Sequence, residues 1–339
     1  MIAAAERVHV AIFGGPVDEP HRHGFVLGRL GDMPELDVRR PFTRTEALAA
    51  GLTDAQLRGP RFVRLFPRLH LCASVQVTAR LRAEAALRLH PAGAFASHAS
   101  AARIHGVAIP QDAEEHVTVR RREERRRTAG IRCHLASGEP DLVTVGGLPV
   151  SSPAQTFVEL ASTLGLVDLV VVGDQMARRG LLSPDRLRAS CHGSGRRGAV
   201  RARRAAAYVR DQVDSPMETR TRMLLVLAGL PEPEVNLVVR DVEGALLRRY
   251  DLSYPEVGVA VEYDGRHHVE RIEQWERDLG RRESLEDEGW RLLVVTSADI
   301  YRQPGETVRR VHRLLRARGM AGVPARPSDA WRAHFRGQD

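Results

Sequence analysis

Three acids stand close together between Tyr250 and His268, in Y-D-L-S-Y-P-E-V-G-V-A-V-E-Y-D-G-R-H-H: Asp251, Glu262 and Asp264, with His267 and His268 directly behind them. Neighbouring side chains on a strand point to opposite faces. Val259, Val261 and Tyr263 therefore form one apolar row, and Ala260, Glu262 and Asp264 fall on the other face. Two residues' rise sets the last two carboxylates roughly 7 Å apart. Like charges that close repel, and a hard divalent cation with oxygen ligands, Mg2+ or in its place Mn2+, relieves them. Asp251, on the preceding strand of a hairpin, supplies a third oxygen donor. The competing reading is a half-solvated strand whose acids meet arginines, in a chain with 51 basic residues.

Positioning those acids calls for a turn and supports on both sides. Tyr254 to Gly258 reads as the turn, with Pro255 presetting one dihedral and Gly258 permitting an unusual one. Upstream, S-P-M-E-T-R-T-R-M-L-L-V-L-A-G-L-P opens a helix at Ser215, with Pro216 at its first position and Gly229 past its end. Glu218 has capping-box spacing from Ser215, and the same position suits a carboxylate directed at the metal. Downstream, Ile272 to Glu288 reads as a helix, W-R-L-L-V-V-T as a buried strand, and Gly305 to Arg318 as a helix. The order is helix, two or three strands, helix, strand, helix.

That order, with S-P-M-E at 215 to 218, Y-D-L-S-Y-P-E at 250 to 256, V-E-Y-D-G-R-H-H at 261 to 268, D-L-G-R-R-E-S-L at 278 to 285 and G-W-R-L-L-V-V-T at 289 to 296, resembles the PD-(D/E)xK nuclease superfamily. More narrowly, it is similar to the domain-of-unknown-function family related to very-short-patch repair endonucleases. The resemblance covers about residues 214 to 316. It implies that Asp251 and Glu262 hold Mg2+ with help from Glu218, and that Asp264 and His268 complete the catalytic pocket. The lysine that ends the motif in the wider superfamily is Asp264 here, and the chain contains no lysine at all. Proton transfer then falls to His268, His267, an arginine or a second metal.

Phosphodiester hydrolysis needs a more acidic water and a neutralised anionic transition state, and a carboxylate-held metal supplies both. Histidine, with an ordinary pKa of about 6.5, exchanges a proton near neutrality. Asp278 stands three and four residues before Arg281 and Arg282, the spacing of an intrahelical ion pair worth about 0.2 to 0.5 kcal/mol. Trp275, Asp278, Arg282 and Leu285 also share one stripe, so the alternative is a phosphate-facing arginine braced by Asp278.

At 339 residues the chain is long enough for two or three domains. A net charge of +8 and a pI near 10.3 suit a polyanionic partner. Arginine is dense in R-R-R-E-E-R-R-R at 120 to 127 and R-R-G-A-V-R-A-R-R at 196 to 204, read either as solvated faces or as phosphate contacts. Cys72, Cys133 and Cys191 are scattered, which indicates neither zinc nor a disulfide framework and fits a reducing cytoplasm. No apolar run approaches the ~20 residues that span a bilayer. Residues 1 to 36 lack periodicity and read as a flexible extension or an over-long gene start.

From Phe42, T-R-T-E-A-L-A-A-G-L-T-D-A-Q-L-R reads as two short helices around Gly51 and Leu52, the second opened by a Thr53 to Gln56 capping box. Arg61 to Ala73 alternates like a small wing. Residues 37 to 75 resemble the winged helix-turn-helix domain of AbiEi-type antitoxins, and S-H-A-S-A-A-R-I-H-G at 97 to 106 is similar to the element that follows it in such proteins. Pro67, Arg68 and Leu69 stand at the wing turn, where the family places a glycine. If the second helix enters a major groove, Arg58 is a candidate to touch DNA. In the middle region, 76 to 213, helices are expected at Ala79 to Leu89, Pro153 to Leu164 and Val167 to Arg179, with short strands at His116 to Arg120 and Ile131 to Leu135. His98, His105, His116 and His134 show no metal-ligand spacing and read as structural.

The expected fold is therefore α+β or α/β and multidomain: a winged helix-turn-helix, a mixed but mainly helical middle region, a restriction-endonuclease-like αβββαβα core over 214 to 318, and a tail from 319 to 339. The expected function is Mg2+-dependent cleavage of DNA in a toxin-antitoxin or defence setting. The alternatives are a DNA-binding antitoxin or regulator with a protein partner and an inactive nuclease fold, and an RNA-cleaving toxin.

Overall fold

The computed structural model describes residues 36–110, 112–240, 243–265 and 289–335. Apart from Leu36, the expected N-terminal extension lies outside these residues, as does the expected helix at 272 to 288. The fold is a mixture of helices and sheets built in three successive blocks, each around a sheet of its own.

The first block begins with Phe42–Thr43 (β1), Arg44–Ala49 (α1) and Asp54–Leu57 (α2). Each helix opens on a complete capping box, Thr43 with Glu46 and Thr53 with Gln56, so both starts are dictated locally. Phe62–Phe66 (β2) and Leu69–Cys72 (β3) close an antiparallel sheet in the order β1-β3-β2. Phe42, Ala47, Leu57 and Phe62 fill its small core. Arg68, in the turn between β2 and β3, takes a φ of 67°, so the hairpin uses the backbone a glycine favours without having one.

The second block runs through Ala79–Arg88 (α3), Phe95–Ala96 (β4), His98–Ile104 (α4), Glu115–Val119 (β5), Ile131–Leu135 (β6), Leu142–Val145 (β7) and Leu148–Ser151 (β8). Its strands form one five-stranded sheet in the order β6-β5-β4-β8-β7. Two of the five, β5 and β6, were legible as strands; β4, β7 and β8 are two to four residues long and carry too little pattern to show. Pro153–Leu160 (α5), Leu166–Arg178 (α6), Pro184–Gly193 (α7) and Ala199–Ala206 (α8) follow. Helix α6 passes so close to its neighbours that a Cβ on Gly173 would lie 2.4 Å from Val209 and 3.0 Å from Phe157.

The third block comprises Pro216–Leu227 (α9), Glu234–Arg240 (β9), Leu246–Tyr254 (β10), Val259–Tyr263 (β11), Arg291–Val295 (β12), Ser297–Tyr301 (α10) and Pro304–Ala317 (α11). Strands β9, β10 and β11 make an antiparallel meander, and β12 joins β11 in parallel, giving the order β12-β11-β10-β9. Parallel neighbours need a crossover of a dozen or more residues, and 264–290 provide that length. Leu252, Tyr254, Val259 and Val261 face the main core, whereas Tyr250 and Ala260 pack with Trp290 and Leu292 in a separate small cluster. Parity along β11 is thus as the sequence indicated.

The main core continues without interruption from α5, α6 and α8 into α9, the third sheet and α11. Arg222 on α9 is fully buried and bonds Asp174 of α6 at 2.8 Å and Glu232 at 2.9 Å. Asp174 also accepts from Thr219 Oγ1 and the Arg210 N–H, both at 2.8 Å. The expected tail folds back: the Ser328 N–H donates to the Ala228 carbonyl at 2.8 Å, and Trp331 and Phe335 join the core. Among the described residues no helix is long and apolar enough to cross a membrane.

Candidate functional site

Helix α9 starts as its sequence dictates, with Pro216 in the first turn and Ser215 Oγ accepting from the Glu218 N–H at 3.2 Å. The reciprocal half of a capping box is not made. Glu218 Oε2 instead accepts from the Asp214 N–H at 3.0 Å, one residue further back. The side chain is buried, and burial pushes its carboxyl above the usual carboxylate range; Asp251 and Asp214 push the same way, while the bonds from Ser215 and Asp214 oppose them. Asp214 is held by Arg178 at 2.6 Å and by Arg249.

Asp251 lies on β10, which packs against α9. Its Oδ2 accepts from the Tyr263 N–H at 2.9 Å, which ties it to the end of β11. The β10·β11 register pairs Leu252 with Val261, and one step further brings Asp251 level with Glu262. Glu262 is half-buried opposite Val294 of β12, and the Asp264 N–H continues that pairing at 2.8 Å to the Val295 carbonyl. Asp264 itself is exposed. The fold thus brings α9, β10 and β11 together around Glu218 and Asp251, with Glu262 level with Asp251 and Asp264 at the strand's edge. Among the described residues, however, the three-residue group whose donor atoms come close enough for one ion is a histidine cluster and not these acids.

His267, His268, Asp278, Arg281 and Arg282 lie outside the described residues. Arg58 is exposed at the C-terminal cap of α2. In the first arginine run, Arg122, Arg125, Arg126 and Arg127 line one concavity with Arg132. Two of them also serve the fold, since Arg125 bonds the Cys133 carbonyl at 3.3 Å and Arg126 the Leu89 carbonyl at 3.0 Å. Arg196, Arg197, Arg201 and Arg203 line a second concavity, with Arg196 bonded to the carbonyls of Ser137 and Glu139.

Spacing alone gave no metal site among the middle-region histidines, yet the fold gathers three of them. His98, His116 and His134 place one ring nitrogen each within 4.8 Å of the others. His134 Nε2 is 3.1 Å from His116 Nδ1, and the rings of His98 and His134 stack with centroids 3.8 Å apart. Burial is the main cause that lowers all three imidazoles, His98 to about 2 and His134 to about 4, so each is neutral near pH 7. His105 stays apart, its Nε2 2.8 Å from the Ser151 carbonyl, and its structural reading stands. The available signal was parity: His116 and Thr118, like Arg132 and His134, share a face once β5 and β6 pair.

No family model matches the chain. Over 274 residues it is 27% identical to the uncharacterized protein MT2308 of Mycobacterium tuberculosis (strain CDC 1551 / Oshkosh), a match covering 79% of this chain and 98% of that relative. The uncharacterized protein Rv2248 of Mycobacterium tuberculosis (strain ATCC 25618 / H37Rv) matches to the same extent.

Proposed function

We propose that the chain is a DNA-binding, metal-dependent endonuclease: a winged helix-turn-helix head over residues 37 to 75 and a restriction-endonuclease-like core over 214 to 318. The observation that carries this reading is Asp251 of β10, tied to the backbone of β11 and level with Glu262 there, on strands packed against the helix whose first turn holds buried Glu218. The described parts, a helix, three strands, a further strand and closing helices, accord with the expected order and support it; the expected helix at 272 to 288 lies outside the described residues.

The donor set is all carboxylate oxygen, which fits a hard ion such as Mg2+ or Mn2+. Asp251 and Glu262 would hold it, with Glu218 in support. Bound there, the ion would make a water more acidic and offset charge on the phosphate. The Tyr263 N–H fixes one Asp251 oxygen and so orients the other. His268, with His267 beside it, is assigned the proton transfer that a lysine performs in the wider superfamily, and Asp264 borders the pocket. Arg281 and Arg282, with Asp278 in a supporting role, and Arg58 on the head are assigned to phosphates. Localisation in the cytoplasm accords with three free cysteines.

Incubating the full chain with supercoiled plasmid, single-stranded DNA and RNA, each with Mg2+ or Mn2+, tests this. DNA should be cut, and Asp251→Asn and Glu262→Gln should each lose at least about a hundredfold in rate, since removing a ligand removes several kcal/mol of transition-state stabilisation. Equal behaviour of wild type and both variants would overturn the enzyme reading. A second reading, an inactive nuclease fold serving a DNA-binding regulator or antitoxin, is favoured by the missing lysine and by the capping bond of Glu218 to Asp214. It requires salt-dependent DNA binding with no cleavage. Cleavage of RNA alone would instead identify an RNA-cleaving toxin.

A further inference from the structure

We propose that His98, His116 and His134 form a second, separate metal site, one for a divalent transition metal of the zinc class held by three imidazole nitrogens. The ligands come from the first residue of α4 and from the parallel pair β5 and β6. His116 lies opposite Arg132 and His134 opposite Thr118, which puts the two histidines diagonally on one face. Nitrogens bound to Zn2+ at about 2.0 to 2.1 Å in a tetrahedron stand roughly 3.4 Å apart. The 3.1 Å between His116 Nδ1 and His134 Nε2 is close to that, and the whole set lies within 4.8 Å.

For His116 and His98 the other ring nitrogen has a partner, as in metal-bound histidines. His116 Nε2 lies 2.9 Å from Asp112 Oδ2, and this carboxylate keeps the proton on Nε2 and leaves the Nδ1 lone pair facing inward. His98 Nδ1 is 3.1 Å from Ser97 Oγ and 3.6 Å from Glu159 Oε2, which leaves Nε2 of that ring for an ion. In the absence of metal, the His134 Nε2–H donates to His116 Nδ1; on ligation that proton moves to the other nitrogen of the same ring through solvent. Ligation by both rings would require His98 and His134, stacked with 13° between their planes, to turn apart.

The backbone adds a second, independent sign. His98 has a φ of 47°, a costly conformation for a residue with a Cβ, and its N–H is held at 2.8 Å by Glu159 Oε2. Strain of this kind collects where geometry serves a site. His98 and His134 are only partly buried, which leaves an ion a route to them. Three nitrogen donors select zinc-like ions over Mg2+, which separates this site from the carboxylates of the third block.

The test uses the full chain, stripped of metal with a chelator, titrated with Zn2+ by calorimetry and with Co2+ by visible absorption. One equivalent should bind stoichiometrically at micromolar protein, and Co2+ should give the intense bands of a tetrahedral nitrogen site. Asp112→Asn should weaken Zn2+ binding by about 10- to 100-fold, and His134→Gln by at least about 100-fold, with circular dichroism unchanged. Asp251→Asn should leave Zn2+ binding as it is. Absence of stoichiometric Zn2+, equal affinity in His134→Gln and Asp112→Asn, or loss in Asp251→Asn instead would overturn the site. Should His134→Gln fail to fold, Asp112→Asn and the wild-type Co2+ spectrum decide.

Discussion

Glu218 can be separated into cap and ligand by one substitution. In Glu218→Gln the amide oxygen still accepts from the Asp214 N–H, while the charge beside Asp251 is gone. Because burial raises the carboxyl of the folded protein above its unfolded value, the wild type loses stability as pH rises from the ordinary carboxylate range through the folded pKa. We therefore expect the variant to be at least as stable as wild type at neutral pH, with the difference vanishing in acid, and to have lost nuclease activity. Chemical denaturation at a series of pH values checks the first part, and a variant less stable at neutral pH would contradict it. The thiols divide in the same way. Burial pushes Cys191 up to about 11, whereas hydrogen bonding with Ser74 lowers half-buried Cys72. A thiol reagent at pH 8 should label Cys72 in the native protein and Cys191 only after unfolding, as peptide mass spectrometry would show.

Elements with local signals were legible. The capping box at Thr53, Ser215 with Pro216, and the turn at Pro255 to Gly258 all stand where the sequence put them, because each is decided within a few residues; the box at Thr43 is equally local but was not read. Short strands such as β4 take their identity from partners far along the chain, and the histidine cluster exists only once β5 and β6 pair beside α4. Linear spacing between His98, His116 and His134 therefore carried no warning. Two elements invite substitution. At Arg68 the left-handed backbone predicts that Arg68→Gly raises stability by up to about 1 kcal/mol, and that a β-branched residue there lowers it. Asp174→Ala would leave buried Arg222 short of a partner and strand the Arg210 and Thr219 donors, at a cost of about 3 to 5 kcal/mol in urea unfolding. A cost below about 1 kcal/mol would mean that the α6–α9 link is not a structural keystone.

At the scale of the whole molecule, the sequence divided the chain by motif, while the core divides it by packing. Met223, Leu224 and Leu225 of α9 share one cluster with Val170 and Val172 of α6 and Ala202 and Ala205 of α8. A fragment beginning at 214 would expose that surface, so it should be aggregated or partly folded, whereas one beginning at 153 should unfold cooperatively. If the chain binds DNA as proposed, the logarithm of its affinity should fall linearly with the logarithm of salt concentration, with a slope of about −0.9 per phosphate neutralised. Arg122→Ala with Arg127→Ala should make that slope shallower if this concavity meets the backbone. The proposed nuclease requires one ion seated among acids from α9, β10 and β11. Crystals soaked in Mn2+, recorded for anomalous scattering, address it directly. A peak within coordination distance of both Asp251 and Glu262 is expected; a map with no peak between those carboxylates would contradict the nuclease assignment.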